Sequence, residues 1–512
     1  MKHLTFAIIL LLIIASGCQN LTAILPPTGT FTPQKPAPST PIPPTPVGTT
    51  PNTPAPDPPT QVIPAPTLPP TAEAPGPFEL RPQYTISATL DYGWRYLTVI
   101  QDIRIPNPSK ETLDELNLVV QPNWRPDTFR LTDISWKDGT SIDNFSLNGI
   151  LLRVPLRDPF GPGETLHISL AYEINIPPLM TSEDFGPNPF GYTTRQTNLT
   201  DWYPFVPPYT NGEGWLVHNP WYYGEHLVYP VADFDVTIQL INAPVNTVIA
   251  ASARDVRNGN LHHYTLEGAR NFVWSVSPEY RVFQVAVGNT TVFGYAFPYD
   301  VGPGAVAFKT TAEALALYNQ IFGLYPFETM TVVQADFDHG MEYSGLFFLS
   351  KAFYSIYDGT PSTFLVSIAA HETAHQWWYG LVGNDQALEP WLDEALCTYS
   401  EKLFYEKLYP ASLDWWEKYR IAYYEPAGWV DSTIYNTAGY RPYRDAVYLN
   451  GANFLDELRA LVGEEAFFSF LQDYLASNTG RLATADDFFA SLREHSDADW
   501  STLVDSYFQT RK

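Results

Sequence analysis

Two histidines four positions apart, His371 and His375, flank Glu372 in the stretch HETAHQWWYG. On a helix, residues i and i+4 lie one above the other, so two imidazoles can grip one metal ion. Glu372 then projects to the side, within reach of a water on that metal rather than of the metal itself. Phe364, Ile368, His371 and His375 follow an i, i+4, i+7, i+11 pattern, which is one helical face. A satisfied pair of histidines is the plain alternative. A third ligand separates the two readings, because catalytic zinc commonly takes three protein ligands and keeps one open position. Glu394 supplies it, with eighteen residues between it and His375. Gly380, Gly383 and Asn384 can turn the chain in that interval, and a second helix starting near Trp391 would present Glu394 to the first.

This pattern, HExxH and then Glu after eighteen residues, resembles peptidase family M1, the gluzincin aminopeptidases. HQWWYG and WLDEA are similar to the family's surrounding text. HGMEYSG, from His339 to Gly345, resembles the family's substrate motif. That resemblance implies Glu342 as the anchor for a peptide's free amine, with Gly340 and Met341 beside it in the substrate site. VYLNGANFLDELRALVGEEAFFSFL resembles the block whose tyrosine stabilises the tetrahedral intermediate, which implies Tyr448. The family's β domain adds a polar group near the amine after a TQ-type motif; the nearest text, GYTTRQTNLTDWYP, implies Gln196. The resemblance extends more weakly through DWYPFVPPY and ADFDVTIQL. It implies an N-terminal all-β saddle or sandwich domain followed by a thermolysin-like, mainly helical zinc peptidase domain. Three positions depart from the pattern: Tyr343 where Asn is usual, Ala395 where Gly is usual, and Asn450 where Lys is common. The resemblance ends before the large C-terminal helical domain of many members, so that domain is not expected here, and the resemblance then implies a more open cleft.

The chemistry is coherent on these residues. His371, His375 and Glu394 would hold one Zn²⁺ per chain, lowering the pKa of bound water toward ~7. Another divalent ion has the same claim on these ligand types. Glu372 would take the water's proton and pass it to the leaving amine. Tyr448 would stabilise the oxyanion, and Glu342 would pair with the substrate ammonium, so that cleavage counts from the N-terminus. Two rivals stand beside this aminopeptidase reading. One is an endopeptidase or short-peptide hydrolase on the same centre. The other is a weakly catalytic surface binding protein, which would have no need of Glu372 and Tyr448.

Other candidates read more plainly. His218, Glu225 and His226 in HNPWYYGEH admit a second metal site, but an aromatic loop packing on the β domain is the simpler reading. His339 reads as a cleft-wall residue, and Asp393 as a local hydrogen-bond partner. Trp377, Trp378 and Trp391 read as core, and Cys397 as a buried thiol without chemistry.

Behind the site, 512 residues exceed what one compact core organises, so two folded domains are expected. The formal net charge is −26. A phosphate backbone or an anionic lipid surface would be repelled, so no nucleic-acid partner is expected, and cationic or amine-bearing substrates are favoured. MKHLTFAIILLLIIASGC opens with a short positive start and an apolar run too short for a comfortable span, which reads as a signal peptide over 1–17. Its end, IASGC, resembles a bacterial lipobox, which implies lipidation of Cys18 and an extracytoplasmic, membrane-anchored protein. Between Pro26 and Pro77 lie 20 prolines. Residues 18–77 therefore read as a disordered tether that can reach up to roughly 160 Å at polyproline rise. Period-two alternation in YTISATLDY and DFDVTIQL places an all-β domain over 78–290. Helical segments such as STFLVSIAAHETAHQWWYG and DEALCTYSEKLFYEKL place the catalytic domain over 291–512.

Overall fold

The computed structural model describes residues 80–179 and 188–510. The signal segment, Cys18 and the proline-rich stretch lie outside the described residues. Among the described residues, no helix is long and apolar enough to cross a membrane.

Alternation builds the first part. Strand Gln83–Asp91 buries Tyr84, Ile86, Ala88 and Leu90 and turns the residues between them outward. Strand Ala232–Ile241 buries Phe234, Val236 and Ile238, while Leu240 is half-buried at its end. The two strands run parallel inside a seven-stranded, otherwise antiparallel sheet. A three-stranded sheet of Leu113–Val119, Leu151–Phe160 and Ser146–Asn148 adds Leu116, Leu118, Leu152 and Val154 to the same core. Each inward aliphatic side chain contributes roughly 1.5–3 kcal/mol. A slip of one residue would turn that whole set to water, so the register is strongly specified.

The second part wraps helices around a five-stranded sheet. Its order is Arg281–Val287, Thr290–Ala296, Thr329–Ala335, Leu346–Ser350, Gly340–Tyr343. The hairpin Arg281–Ala296 thus belongs to this sheet, and a border at residue 290 falls inside that hairpin. Gly340–Tyr343 is the edge strand at the end opposite Arg281–Val287. Helix Val301–Ile321 packs on the sheet and on helix Phe364–Ala374, and helix Trp391–Leu408 packs on Phe364–Ala374 and on Gly451–Val462. Trp377, Trp378 and Trp391 are fully buried in this core, as their composition suggested.

Arg270 ties the β part to the loop after the histidine helix. Its guanidinium is buried and donates to four carbonyls: Tyr229 at 2.8 Å, Arg481 at 2.8 Å, Leu381 at 3.2 Å, and Tyr379. Tyr379 has φ +132°, an unusual value for a side chain with a Cβ. Arg270 on its carbonyl and Asn271 on its hydroxyl hold it there.

Candidate active site

The histidine helix ends earlier than its apolar pattern suggests. Phe364–Ala374 is helical, and His375 caps it. From there the chain turns sharply: Gly380 N–H reaches back to the His375 carbonyl at 2.8 Å, and Val382 N–H to that of Trp377 at 2.9 Å. The turn leaves the i, i+4 relation of His371 and His375 intact. Helix Trp391–Leu408 begins just after Pro390, so Glu394 lies in its first turn, as spacing implied.

These three residues converge. His371 Nε2 lies 3.1 Å from His375 Nε2 and 3.1 Å from Glu394 Oε2; His375 Nε2 to Glu394 Oε2 is 3.6 Å. Tetrahedral ligands on bonds of ~2.0–2.1 Å stand about 3.3 Å apart. The outer nitrogens settle which atoms face inward. His375 Nδ1 lies 3.1 Å from the Trp378 carbonyl, which can only accept, so Nδ1 carries the proton. His371 Nδ1 lies 3.0 Å from Glu401 Oε1 and donates likewise. In the neutral rings both Nε2 lone pairs then meet the Glu394 carboxylate. With both rings neutral, three acceptors with no donor among them form a candidate cation site, and nitrogen with carboxylate oxygen suits zinc.

Glu401 is the hub behind His371. It is fully buried and accepts from Arg420 Nε at 2.9 Å, Arg420 Nη2 at 2.7 Å, Trp416 Nε1 at 2.9 Å and the Ser367 hydroxyl. Burial alone would raise its pKa, but Arg420 and His371 outweigh burial and hold it at about 2. Neither Glu401 nor Arg420 was anticipated. A signal existed for Glu401, which lies seven residues past Glu394 on the same face of one helix.

Glu372 stands beside the triad. Its Oε2 is shut off from solvent and has no hydrogen-bond partner. Burial pushes its carboxyl up to about 8; His371 and His375 oppose the shift, and Glu342 and Glu394 add to it. Across from it, a Cβ on Gly340 would come within 1.9 Å of Glu372 Oε1. Only glycine lets the edge strand approach the carboxylate this closely.

Glu342, on that edge strand, is buried and joins the site: one ligand atom each of Glu342, Glu372 and His375 lie within 4.8 Å of one another. Met341 and Glu342 line a cavity of about 60 Å³ that continues toward the β part. Gln386 Nε2 donates to Glu342 Oε1 at 3.1 Å and to Asp393 Oδ2 at 2.8 Å, and Asp393 Oδ1 accepts from Glu394 N–H at 2.9 Å. One glutamine therefore couples the amine-anchor candidate to the helix turn that carries Glu394. Gln376 makes a second coupling: its Oε1 accepts from Gly345 N–H at 2.9 Å and its Nε2 donates to the Tyr343 carbonyl at 3.0 Å.

Tyr448 reaches the site from a π-helical turn, Asp445–Asn450. Its hydroxyl donates to Glu394 Oε1 at 2.6 Å, and its ring stacks on His371. Two departures from the family pattern have packing reasons. Ala395 presses on Gly451, where a Cβ would approach its methyl to 2.5 Å. Tyr343 is buried and points its hydroxyl to Asp201 Oδ2 of the β part at 3.4 Å.

Gln196 is a correction. It is fully buried away from the cavity, donating to the Tyr280 hydroxyl at 2.8 Å and accepting from Asp336 N–H at 2.6 Å. Both ends of its amide are committed to packing the small β sheet on the strand before Asp336. His218 and His226 do not meet at a metal: His218 bonds Asp385 at 2.8 Å, and His226 bonds Gln121 at 3.1 Å. Glu225, between them in sequence, lines the site cavity instead. His339 lies at the rim against Tyr440, and Cys397 is buried against the Trp378 carbonyl.

Residues 306–507 match the peptidase family M1 domain. Aminopeptidase M1 of Arabidopsis thaliana is 26% identical over 220 residues, 40% of this chain and 25% of that relative. The match thus spans a quarter of that relative's length. The solved M1 zinc metallopeptidase of Deinococcus radiodurans aligns with a TM-score of 0.60 at 20% identity, over 85% of this chain and 94% of that one. A mutant form of it bound to the substrate Tyr-Ser-Ala aligns with a TM-score of 0.57 at 20% identity, over the same shares. The likeness covers both the all-β part and the helical part, so the two-part fold is common to them.

Proposed function

We propose, on the premise that residues 306–507 form a peptidase family M1 domain, that this chain is a zinc-dependent aminopeptidase that hydrolyses the first peptide bond of peptides with a free N-terminus. One observation carries the reading. The carboxylate of Glu342 and the unpartnered carboxylate of Glu372 share one buried site with the inward nitrogen of His375. A substrate ammonium on Glu342 brings the first carbonyl beside Glu372.

His371, His375 and Glu394 would hold one Zn²⁺, which would supply a Lewis acid for the carbonyl and acidity for a water. Glu372 accepts the attacking water's proton on its free oxygen and returns it to the leaving amine. Tyr448 swings its hydroxyl from Glu394 toward the carbonyl oxygen, which gains charge in the transition state. Glu342, held by Gln386, fixes the ammonium and with it the register of cleavage. Glu401 and Trp378 hold the two imidazoles in the ligating tautomer.

The leader, Cys18 and the proline-rich stretch support a place outside the cytoplasm, on a bacterial membrane through lipid at Cys18. Loss of membrane association in Cys18→Ala tests that part.

The activity test uses a panel of fluorogenic aminoacyl amides, each free and N-acetylated, with and without a chelator. Chelator-sensitive cleavage of the free-amine forms, with one zinc per chain, is expected. Glu372→Gln should retain zinc and lose at least ~100-fold in turnover. Equal cleavage of acetylated substrates would replace this reading with an endopeptidase. No cleavage by the zinc-loaded chain would replace it with an endopeptidase acting on longer peptides or with a binding protein.

A further inference from the structure

The cavity beyond Glu342 contains a carboxylate that the proposed mechanism does not use. Glu225 sits on the loop between strands Gly214–Trp215 and Ala232–Ile241. The preceding Gly224 has φ +67°, and a Cβ there would meet Ile434 Cγ2 at 2.5 Å and the Tyr443 hydroxyl at 3.0 Å. Glycine thus lets the loop press against the catalytic part, and Glu225 enters the cavity wall.

Among the described residues, three carboxylates line this cavity, and no lysine or arginine does. Two of the three are engaged by neutral donors. Asp201 takes the Tyr229 hydroxyl at 2.7 Å, Asn188 Nδ2 at 2.8 Å and the Tyr343 hydroxyl, while Glu342 takes Gln386. Glu225 differs: its Oε2 is shut off from solvent and has no hydrogen-bond partner. Burial raises its proton affinity strongly, and the charge of Glu342 adds to that. His226 beside it cannot compensate, because burial keeps it neutral, at about 3. Trp221, Tyr229 and Tyr379 form aromatic walls. A half-buried carboxylate whose inner oxygen is shut off and unpartnered, beside aromatic rings, is an environment completed by a cation, through a charge-assisted bond and cation–π contact.

We propose that Glu225 is a specificity determinant that favours substrates whose first residue carries a cationic side chain, a guanidinium or an ammonium. This rests on the aminopeptidase reading. With the α-ammonium on Glu342 and the carbonyl beside Glu372, the first side chain is the substituent left to fill the adjoining cavity. The cavity, about 60 Å³, has room for several waters, which such a head group would displace.

The test compares kcat/KM on arginyl, citrullinyl, lysyl and norleucyl amides, which pair each cation with a neutral partner of similar size. The zinc-loaded wild-type chain should prefer arginyl over citrullinyl and lysyl over norleucyl by roughly tenfold to a hundredfold. Glu225→Gln should collapse both ratios toward one, and Glu225→Asp, which keeps the charge, should retain most of the preference. Cleavage of all four amides with no cation preference, or ratios unchanged in Glu225→Gln, would overturn the assignment and leave the aminopeptidase reading standing. Cleavage of none would overturn both.

Discussion

Glu401→Gln is the sharpest perturbation of the metal centre, because it replaces no proposed ligand and keeps the side-chain shape. Oε1 of Glu401 takes His371 Nδ1 and Arg420 Nη2; Oε2 takes Arg420 Nε, Trp416 Nε1 and Ser367. A glutamine must turn its NH₂ toward one of these groups. Facing the Oε1 side, it opposes two donors; facing the other, it opposes three. Leaving two buried donors unmet at ~1–3 kcal/mol each amounts to about 2–6 kcal/mol, which matches the ~3–5 kcal/mol of breaking a buried ion pair. There is one local escape. His371 can shift its proton to Nε2 and accept from the glutamine at Nδ1, but that puts an N–H where a metal needs a lone pair. Zinc affinity should therefore fall ~10–100-fold. Chelator competition on the purified variant measures it, with circular dichroism and unfolding to show that the fold persists. A second variant separates the two effects. Adding Arg420→Met to Glu401→Gln should recover part of the stability and none of the zinc affinity. A folded Glu401→Gln chain that binds zinc as tightly as the wild type would refute the tautomer argument.

Three further outcomes follow from the geometry. Gly340→Ala places a methyl where Glu372 Oε1 now sits, so turnover should drop by roughly a hundredfold with zinc content unchanged; unaltered kcat would show that Glu372 does not work from this position. Arg270→Met leaves four carbonyls without their shared donor, and denaturant unfolding should show a loss of at least about 3 kcal/mol; a loss under ~1 kcal/mol would refute its role as a tie. Burial pushes the Asp201 carboxyl up to about 6 from 3.8, although Tyr229, Asn188 and Tyr343 oppose the shift. The folded chain then binds a proton there that the unfolded chain has lost, so this contribution is full below about 4 and disappears as pH rises through about 6. Asp201→Asn removes the term: its stability relative to wild type should rise by about 2–3 kcal/mol between pH 4 and 7, and a pH-independent difference would refute the shift.

What could be read from the chain alone was local. The ligand triad is set by one helical turn and one short connection, and both leave a mark in spacing. The strand faces of Gln83–Asp91 and Ala232–Ile241 are likewise written as alternation. Groups that meet only through packing left less trace. Helix Trp391–Leu408 is buried on nearly every side, so no polar stripe singles out Glu401 as different from its neighbours. Arg420 arrives from a separate π-helical turn, Trp416–Ile421, which no spacing relates to His371. Gln196 failed for the opposite reason. Its residue type fitted the motif, but its amide is saturated by Tyr280, Gln334 and Asp336 inside a sheet. Glu225 reads in sequence as a possible ligand beside two histidines, and only the turn at Gly224 shows that it enters the cavity, with His226 beside it and His218 elsewhere on Asp385.

Gln376 directly follows His375, and its two amide atoms grip the backbone on either side of Ser344. A carboxamide is planar and short, so the hairpin carrying Glu342 has little freedom to slide along the helix carrying Glu372. The chain behaves there like a caliper with its jaw screwed down. Whatever spans from the amine anchor to the base is measured against a fixed opening, and the unit of measurement is set by a residue that touches neither end of it.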